Sequence, residues 1–105
     1  MKEVTVQELK QMIDSGEDFQ LIDVREPYEA EISNLGGELI PVGSILDNAD
    51  KISKDKTVVI HCRSGQRSKT AILNLEEKFA FRNLFNLRGG ILAYADEIDH
   101  SIIKY

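Results

Sequence analysis

The chain holds a single cysteine, Cys62, and the residues around it are of the types that turn a thiol into a nucleophile. It stands in His61-Cys62-Arg63-Ser64-Gly65-Gln66-Arg67-Ser68, just past the β-branched run Thr57-Val58-Val59-Ile60 and just before a helical pattern. A loop joining a buried strand to a helix N-terminus exposes backbone N–H groups that have no intrahelical acceptor, and these converge on an anion. Gly65 permits a φ that other residues resist. Arg63, Arg67 and Lys69 add positive charge, and no Asp or Glu occurs between His61 and Leu75. N–H dipoles and guanidinium groups both favour the charged form, so the thiol is expected to ionise below its reference value of about 8.5. A fall of about two units would be worth roughly 2.7 kcal/mol and would make the thiolate the major form at neutral pH. The competing reading of Cys62 is a buried structural thiol.

Other side chains divide into helpers and scaffold. Arg63 is expected to meet substrate or a partner protein, and Arg67 the anion itself; the alternative for Arg67 is a salt bridge to a surface carboxylate. Ser64 and Ser68 can donate hydroxyl hydrogen bonds to the sulfur, and capping of the following helix would by itself explain Ser68. Strand alternation points His61 away from Cys62, which predicts a core role. Asp23, Arg25 and Glu26 read as a structural ion-pair network at a strand end. Tyr94 reads as a packing residue and His100 as a solvated one.

The elements that must position this loop alternate between strand and helix. Thr5 and Glu8 fit a capping box, and Val6, Leu9, Met12 and Ile13 recur at helical spacing until Ser15-Gly16. Phe19 to Val24 predicts a strand, Pro27 to Ile32 a short helix, Leu39 to Val42 a brief strand and Ser44 to Ala49 a second short helix. Thr57 to Ile60 lacks polar alternation, as a central strand covered on both faces does. From Arg67 or Ser68 to Phe79, Ala71, Ile72, Leu75 and Phe79 form one helical stripe. A strand over Leu84 to Leu87 and a last helix from Ile91 follow. This order predicts an α/β domain with a mainly parallel sheet, in which sites lie beyond the carboxyl ends of the strands, where Cys62 falls.

Two chemistries use such a loop. Phosphate-processing cysteine enzymes, including arsenate reductases, carry a pattern resembling His-Cys-x-x-Gly-x-x-Arg-Ser/Thr, which needs an arginine where this chain has Ser68. The arginine comes one place earlier, at Arg67. The tighter loop suits a single terminal sulfur beside the thiol. Over nearly its whole length the chain resembles the rhodanese family of sulfurtransferases. Cys62-Arg63-Ser64-Gly65-Gln66-Arg67-Ser68 is similar to that family's active loop, Leu21-Ile22-Asp23-Val24-Arg25-Glu26-Pro27-Tyr28-Glu29 to its first signature, and Leu87-Arg88-Gly89-Gly90-Ile91-Leu92-Ala93-Tyr94 to its last. The run from Leu87 to Asp99 also resembles rhodanese-like domains fused to adenylating enzymes that serve sulfur-carrier proteins. Ala30-Glu31-Ile32 and Asn34-Leu35-Gly36-Gly37-Glu38 replace the family's usual Gly-His-Ile turn, and Tyr94 replaces a tryptophan.

The resemblance implies a three-layer rhodanese-like domain over residues 1–105, its central sheet flanked by helices on both faces. It implies sulfane-sulfur transfer by a Cys62 persulfide, with N–H groups from Arg63 to Ser68 stabilising the anionic product and Arg63 and Arg67 attracting the donor. The implied donor is a small anion such as thiosulfate or a protein persulfide, and the implied acceptor includes a sulfur-carrier protein; no metal or organic cofactor is called for. A non-catalytic interaction module of the same fold is the alternative. Composition narrows the field further. With 13 Lys+Arg against 18 Asp+Glu the net charge is −5, which argues against nucleic acid as a partner. One cysteine excludes an intramolecular disulfide and any multi-thiolate zinc site. The first residues lack an apolar leader and no apolar run is long enough for a membrane span, so a cytoplasmic location is expected.

Overall fold

The computed structural model describes all of residues 1–105. Thr57–His61 forms the middle of the sheet, and its residues show why it must lie there: Val58, Val59, Ile60 and His61 are all withdrawn from solvent. Burying the apolar side chains of Val58, Val59 and Ile60 contributes about 1.5–3 kcal/mol each, which outweighs their modest entropy cost. We number the strands β1 (Glu3–Val4), β2 (Phe19–Asp23), β3 (Glu38–Leu39), β4 (Thr57–His61) and β5 (Leu84–Leu87), and the helices α1 (Val6–Asp14), α2 (Pro27–Ile32), α3 (Gln66–Phe79) and α4 (Gly90–Glu97). The sheet order is β1-β5-β4-β2-β3, and every neighbouring pair is parallel.

The period of two along β4 sorts the core into halves. Val58 and Ile60 pack with Ile22, Val24, Ile40, Ala71, Ile72 and Leu75 under α3. Val59 faces the opposite way, into a cluster with Val4, Val6, Leu9, Leu87 and Tyr94 from β1, α1, β5 and α4. The expected three layers are therefore present. At the start of α1 the capping box forms in both directions, with Glu8 N–H donating to Thr5 Oγ1 at 3.1 Å and Thr5 N–H to Glu8 Oε1 at 2.8 Å.

Several expectations change. The Leu39–Val42 strand shrinks to Glu38–Leu39, although Ile40 N–H still donates to Asp23 O and Val42 N–H to Val24 O on either side of Pro41, whose missing N–H would face the open edge of the sheet. The short helix over Ser44 to Ala49 is replaced by two 3-10 segments, Val42–Ser44 and Leu46–Lys51, the second kinked at Asn48. Ile13, expected on the buried stripe of α1, is 43% exposed, since Val6 and Leu9 already fill the contact. β1 was not foreseen; Asn86 N–H donates to Lys2 O and Arg88 N–H to Val4 O, which adds this short strand to the edge of β5.

Candidate active site

β4 ends at His61, and the next residue, Cys62, begins the turn into α3. Gly65 makes that turn possible: its φ of 110° lies in the left-handed region that a side chain resists. The loop thereby curls round the sulfur. Gly65 N–H donates to Cys62 Sγ at 3.1 Å and Ser68 N–H at 3.4 Å, and the Ser68 hydroxyl oxygen lies 3.4 Å from the same sulfur. Burial alone would push the Cys62 thiol up; the Ser68 hydroxyl and the N–H groups of Ser68, Gly65 and Ser64 outweigh it, and the thiol lies below its ordinary value. The direction agrees with expectation: the hydroxyl and N–H donors carry most of it, and the Arg67 guanidinium adds an attraction to the charged sulfur. The N–H groups of Arg63, Gln66 and Arg67 have no acceptor within the chain. They are the orphan donors of a strand-to-helix junction, available to a further anionic atom.

The loop is held from behind by two elements. Ser68 Oγ lies 2.5 Å from Asn86 Oδ1 on β5 and 3.2 Å from Gly65 O, and Asn86 Nδ2 donates to Gly65 O at 3.2 Å. Ser68 is thus not the helix cap: Gly65 occupies the cap position, and the hydroxyl is turned inward to Asn86. The first turn of α4 docks on the loop's carbonyls, with Ile91 N–H donating to Cys62 O at 3.0 Å and Leu92 N–H to Arg63 O at 3.2 Å. Gly90 permits that approach, with a φ of 61° and no room for a side chain: a Cβ there would lie 2.4 Å from Arg63 O.

Arg67 is engaged with Glu29 of α2, Nη1 to Oε1 at 2.6 Å and Nη2 to Oε2 at 2.8 Å. This is the ion-pair alternative for Arg67, with one difference: the carboxylate is buried, not on the surface. The Arg67 guanidinium, followed by the N–H of Glu26 and the nearby Arg25 charge, outweighs burial and holds the Glu29 carboxyl at about 2. Arg63, Ser64 and Gln66 are exposed round the loop. Cys62 itself is 1% exposed, and none of the four surface cavities is lined by it or by residues 63–68.

The scaffold residues fall into place around this loop. Arg25, fully buried, donates through Nε to Asp23 Oδ1 at 3.0 Å, through Nη2 to Asp23 Oδ2 at 2.8 Å, and to Ser33 O at 2.6 Å. Glu26, expected in the same network, is exposed and contributes only its backbone N–H, to Glu29 Oε1 at 3.0 Å. His61 is buried, with Nδ1 at 3.3 Å from the Cys62 carbonyl oxygen and Nε2 at 4.0 Å from Asp23 Oδ2; burial lowers its pKa and leaves it no path to the sulfur. Tyr94 packs in the second core cluster, and His100 is exposed beside the Asp96 carbonyl. No group of three or more His, Cys, Asp or Glu side chains is placed to hold a metal ion. No helix is long and apolar enough to cross a membrane. Sequence reasoning missed Glu29 and Asn86. Asn86 did carry a signal, since strand alternation places it on the same side of β5 as the buried Leu84.

The site is thus a thiol at the carboxyl edge of a parallel α/β sheet, held among N–H donors, in the place where such sheets carry their sites. The model of the rhodanese-like domain matches residues 5–97, and the chain belongs to that family. A protein of Mycobacterium tuberculosis named "Probable adenylyltransferase/sulfurtransferase MoeZ" is 35% identical over 97% of this chain, which spans only 26% of that protein. A protein of Allochromatium vinosum named "Sulfurtransferase" is 36% identical over 90% of this chain and 89% of its own length. The crystal structure of a rhodanese-like domain protein from Staphylococcus aureus superposes with a TM-score of 0.83, at 29% identity, over 100% of this chain and 99% of that one.

Proposed function

We propose that this chain is a sulfurtransferase in which Cys62 carries sulfane sulfur as a persulfide. The observation that carries the reading is the Cys62 sulfur inside its N–H ring, with further N–H groups at Arg63, Gln66 and Arg67 that no acceptor in the chain takes up. The Cys62 thiolate attacks the outer sulfur of thiosulfate or of a persulfide. A new S–S bond forms, the donor's S–S bond breaks, and sulfite or a thiolate leaves with the bonding pair. The charge then resides on the outer sulfur, where preorganised N–H dipoles stabilise it. A nucleophilic acceptor takes that sulfur and returns Cys62 to its thiolate. Arg63 is the cation free to meet the donor or a partner protein, since Arg67 is matched by Glu29. The pairing of adenylyl transfer with sulfur transfer in the name of the mycobacterial relative favours an acceptor protein that another enzyme activates.

Intact mass spectrometry before and after thiosulfate, then after cyanide, tests this directly. The wild type should gain about one sulfur atom, roughly 32 Da, and lose it to cyanide, while Cys62→Ser gains nothing. A titratable free thiol that takes no sulfur from thiosulfate or from a persulfide donor would overturn the proposal.

A further inference from the structure

We propose that Asn86 is a positioning residue for the Cys62 sulfur: its side-chain carbonyl competes with that sulfur for the single hydroxyl proton of Ser68. The inference rests on Cys62 being the nucleophile proposed above. Ser68 Oγ lies within reach of Asn86 Oδ1 at 2.5 Å, Gly65 O at 3.2 Å and Cys62 Sγ at 3.4 Å, yet it has one hydrogen to give. While Cys62 is a thiol the chain of donors closes. Its S–H donates to Ser68 Oγ, the Ser68 O–H to Asn86 Oδ1, and Asn86 Nδ2 to Gly65 O.

Once the thiol releases its proton to water, the sulfur can only accept. The Ser68 hydrogen now has two claimants, and the nearer is the amide oxygen. Asn86, only 5% exposed, has no solvent to turn to for a substitute donor. Turning the amide over would aim Oδ1 at the Gly65 carbonyl, which already accepts from Lys69 N–H at 3.2 Å. The thiolate therefore either does without the hydroxyl or leaves a buried amide oxygen unpaired, and in both cases it is less stabilised than the N–H ring with an uncommitted hydroxyl would make it. After sulfur is taken up the charge moves to the outer sulfur, and Ser68 returns to Asn86 at no cost. The network disfavours charge on the inner sulfur relative to the outer one, in the direction that drives loading.

Other groups act alike with and without the Asn86 side chain. His61 on β4 is buried beside Asp23 and Arg25 with its pKa lowered, Arg67 on α3 attracts the charged sulfur while locked to Glu29 on α2, and Arg63 extends to solvent. From α4 only backbone N–H groups reach the loop.

The test is a pH titration of thiolate ultraviolet absorbance, which is specific because the chain has one cysteine. In Asn86→Ala, and in Asn86→Leu, which keeps the bulk if the smaller side chain prevents folding, the midpoint should fall by roughly one pH unit, about tenfold in the thiolate-to-thiol ratio. Above the midpoint, persulfide formation should slow about threefold, because thiolate nucleophilicity follows basicity with a slope of about 0.4–0.5. In a Ser68→Ala background, Asn86→Ala should leave the midpoint unchanged. If Asn86 serves only to hold Gly65 in place, its loss loosens the N–H ring and the midpoint rises or stays; either result overturns the proposal. The titration needs no sulfur donor, so a failure to form persulfide counts against the proposed function and leaves the midpoints readable.

Discussion

Glu29→Gln tests whether the buried ion pair beside the loop is a stabilising element and where in pH it acts. The carboxyl is held at about 2 against an ordinary 4.5, which corresponds to roughly 3 kcal/mol at neutral pH. The Arg67 side chain is 34% exposed, and solvent screening there brings the expectation to about 2 kcal/mol. Because the folded value lies below the unfolded one, the unfolded chain takes up the proton first as pH falls. The stabilisation is complete above about pH 5.5 and is lost as pH drops through 4.5 toward 2. Protonated glutamate and glutamine are nearly equivalent, so wild type and variant should converge in acid. Urea unfolding at several pH values between 2 and 7 measures this, with the variant about 2 kcal/mol less stable at neutral pH and the gap closing below pH 4. A gap that is absent at neutral pH, or that persists unchanged at pH 2, would refute the reasoning.

Gly90→Ala should destabilise by more than about 1 kcal/mol and loosen the Cys62 loop, because both its φ and the Arg63 backbone exclude a Cβ. Gly43→Ala, where a Cβ meets nothing within 4 Å, is the matched control and should change stability by less than about 0.5 kcal/mol in the same thermal or urea assay. Arg25→Met removes one member of a fully buried ion pair and leaves Asp23 uncompensated. A loss of about 3–5 kcal/mol by urea unfolding is expected, and a loss below about 1 kcal/mol would show that the pair contributes little.

The features legible in the sequence were those with a period or a spacing. Val58, Val59 and Ile60 announced a strand covered on both faces, and Ala71, Ile72 and Leu75 a helix stripe; both are found as read. The Cys62 loop was legible because Gly65, the serines and the absence of acids mark an anion site within one short segment. What escaped depends on contacts between distant segments. β1 is two residues long and has no period, and only pairing with β5 makes it a strand. Glu29 lies on a helix too short to declare a buried face, so its pairing with Arg67 across 38 positions left no local trace. Of the two roles expected of Ser68, the hydroxyl contact to the sulfur is present, whereas capping followed from its place near a helix start and was displaced by Asn86, which the chain delivers 18 positions later.

The docking of α4 on the carbonyls of Cys62 and Arg63 also sets an order of events during synthesis. Ile91 and Leu92, whose N–H groups brace the loop, emerge from the ribosome after Cys62 does. With chain growth at about 5–20 residues per second, the stretch from Cys62 to Leu92 takes roughly two to six seconds to appear. During that interval the new thiol lacks the geometry that lowers its pKa and behaves as an ordinary cysteine. The setting of Cys62 is complete only when the last strand and helix have closed over its back.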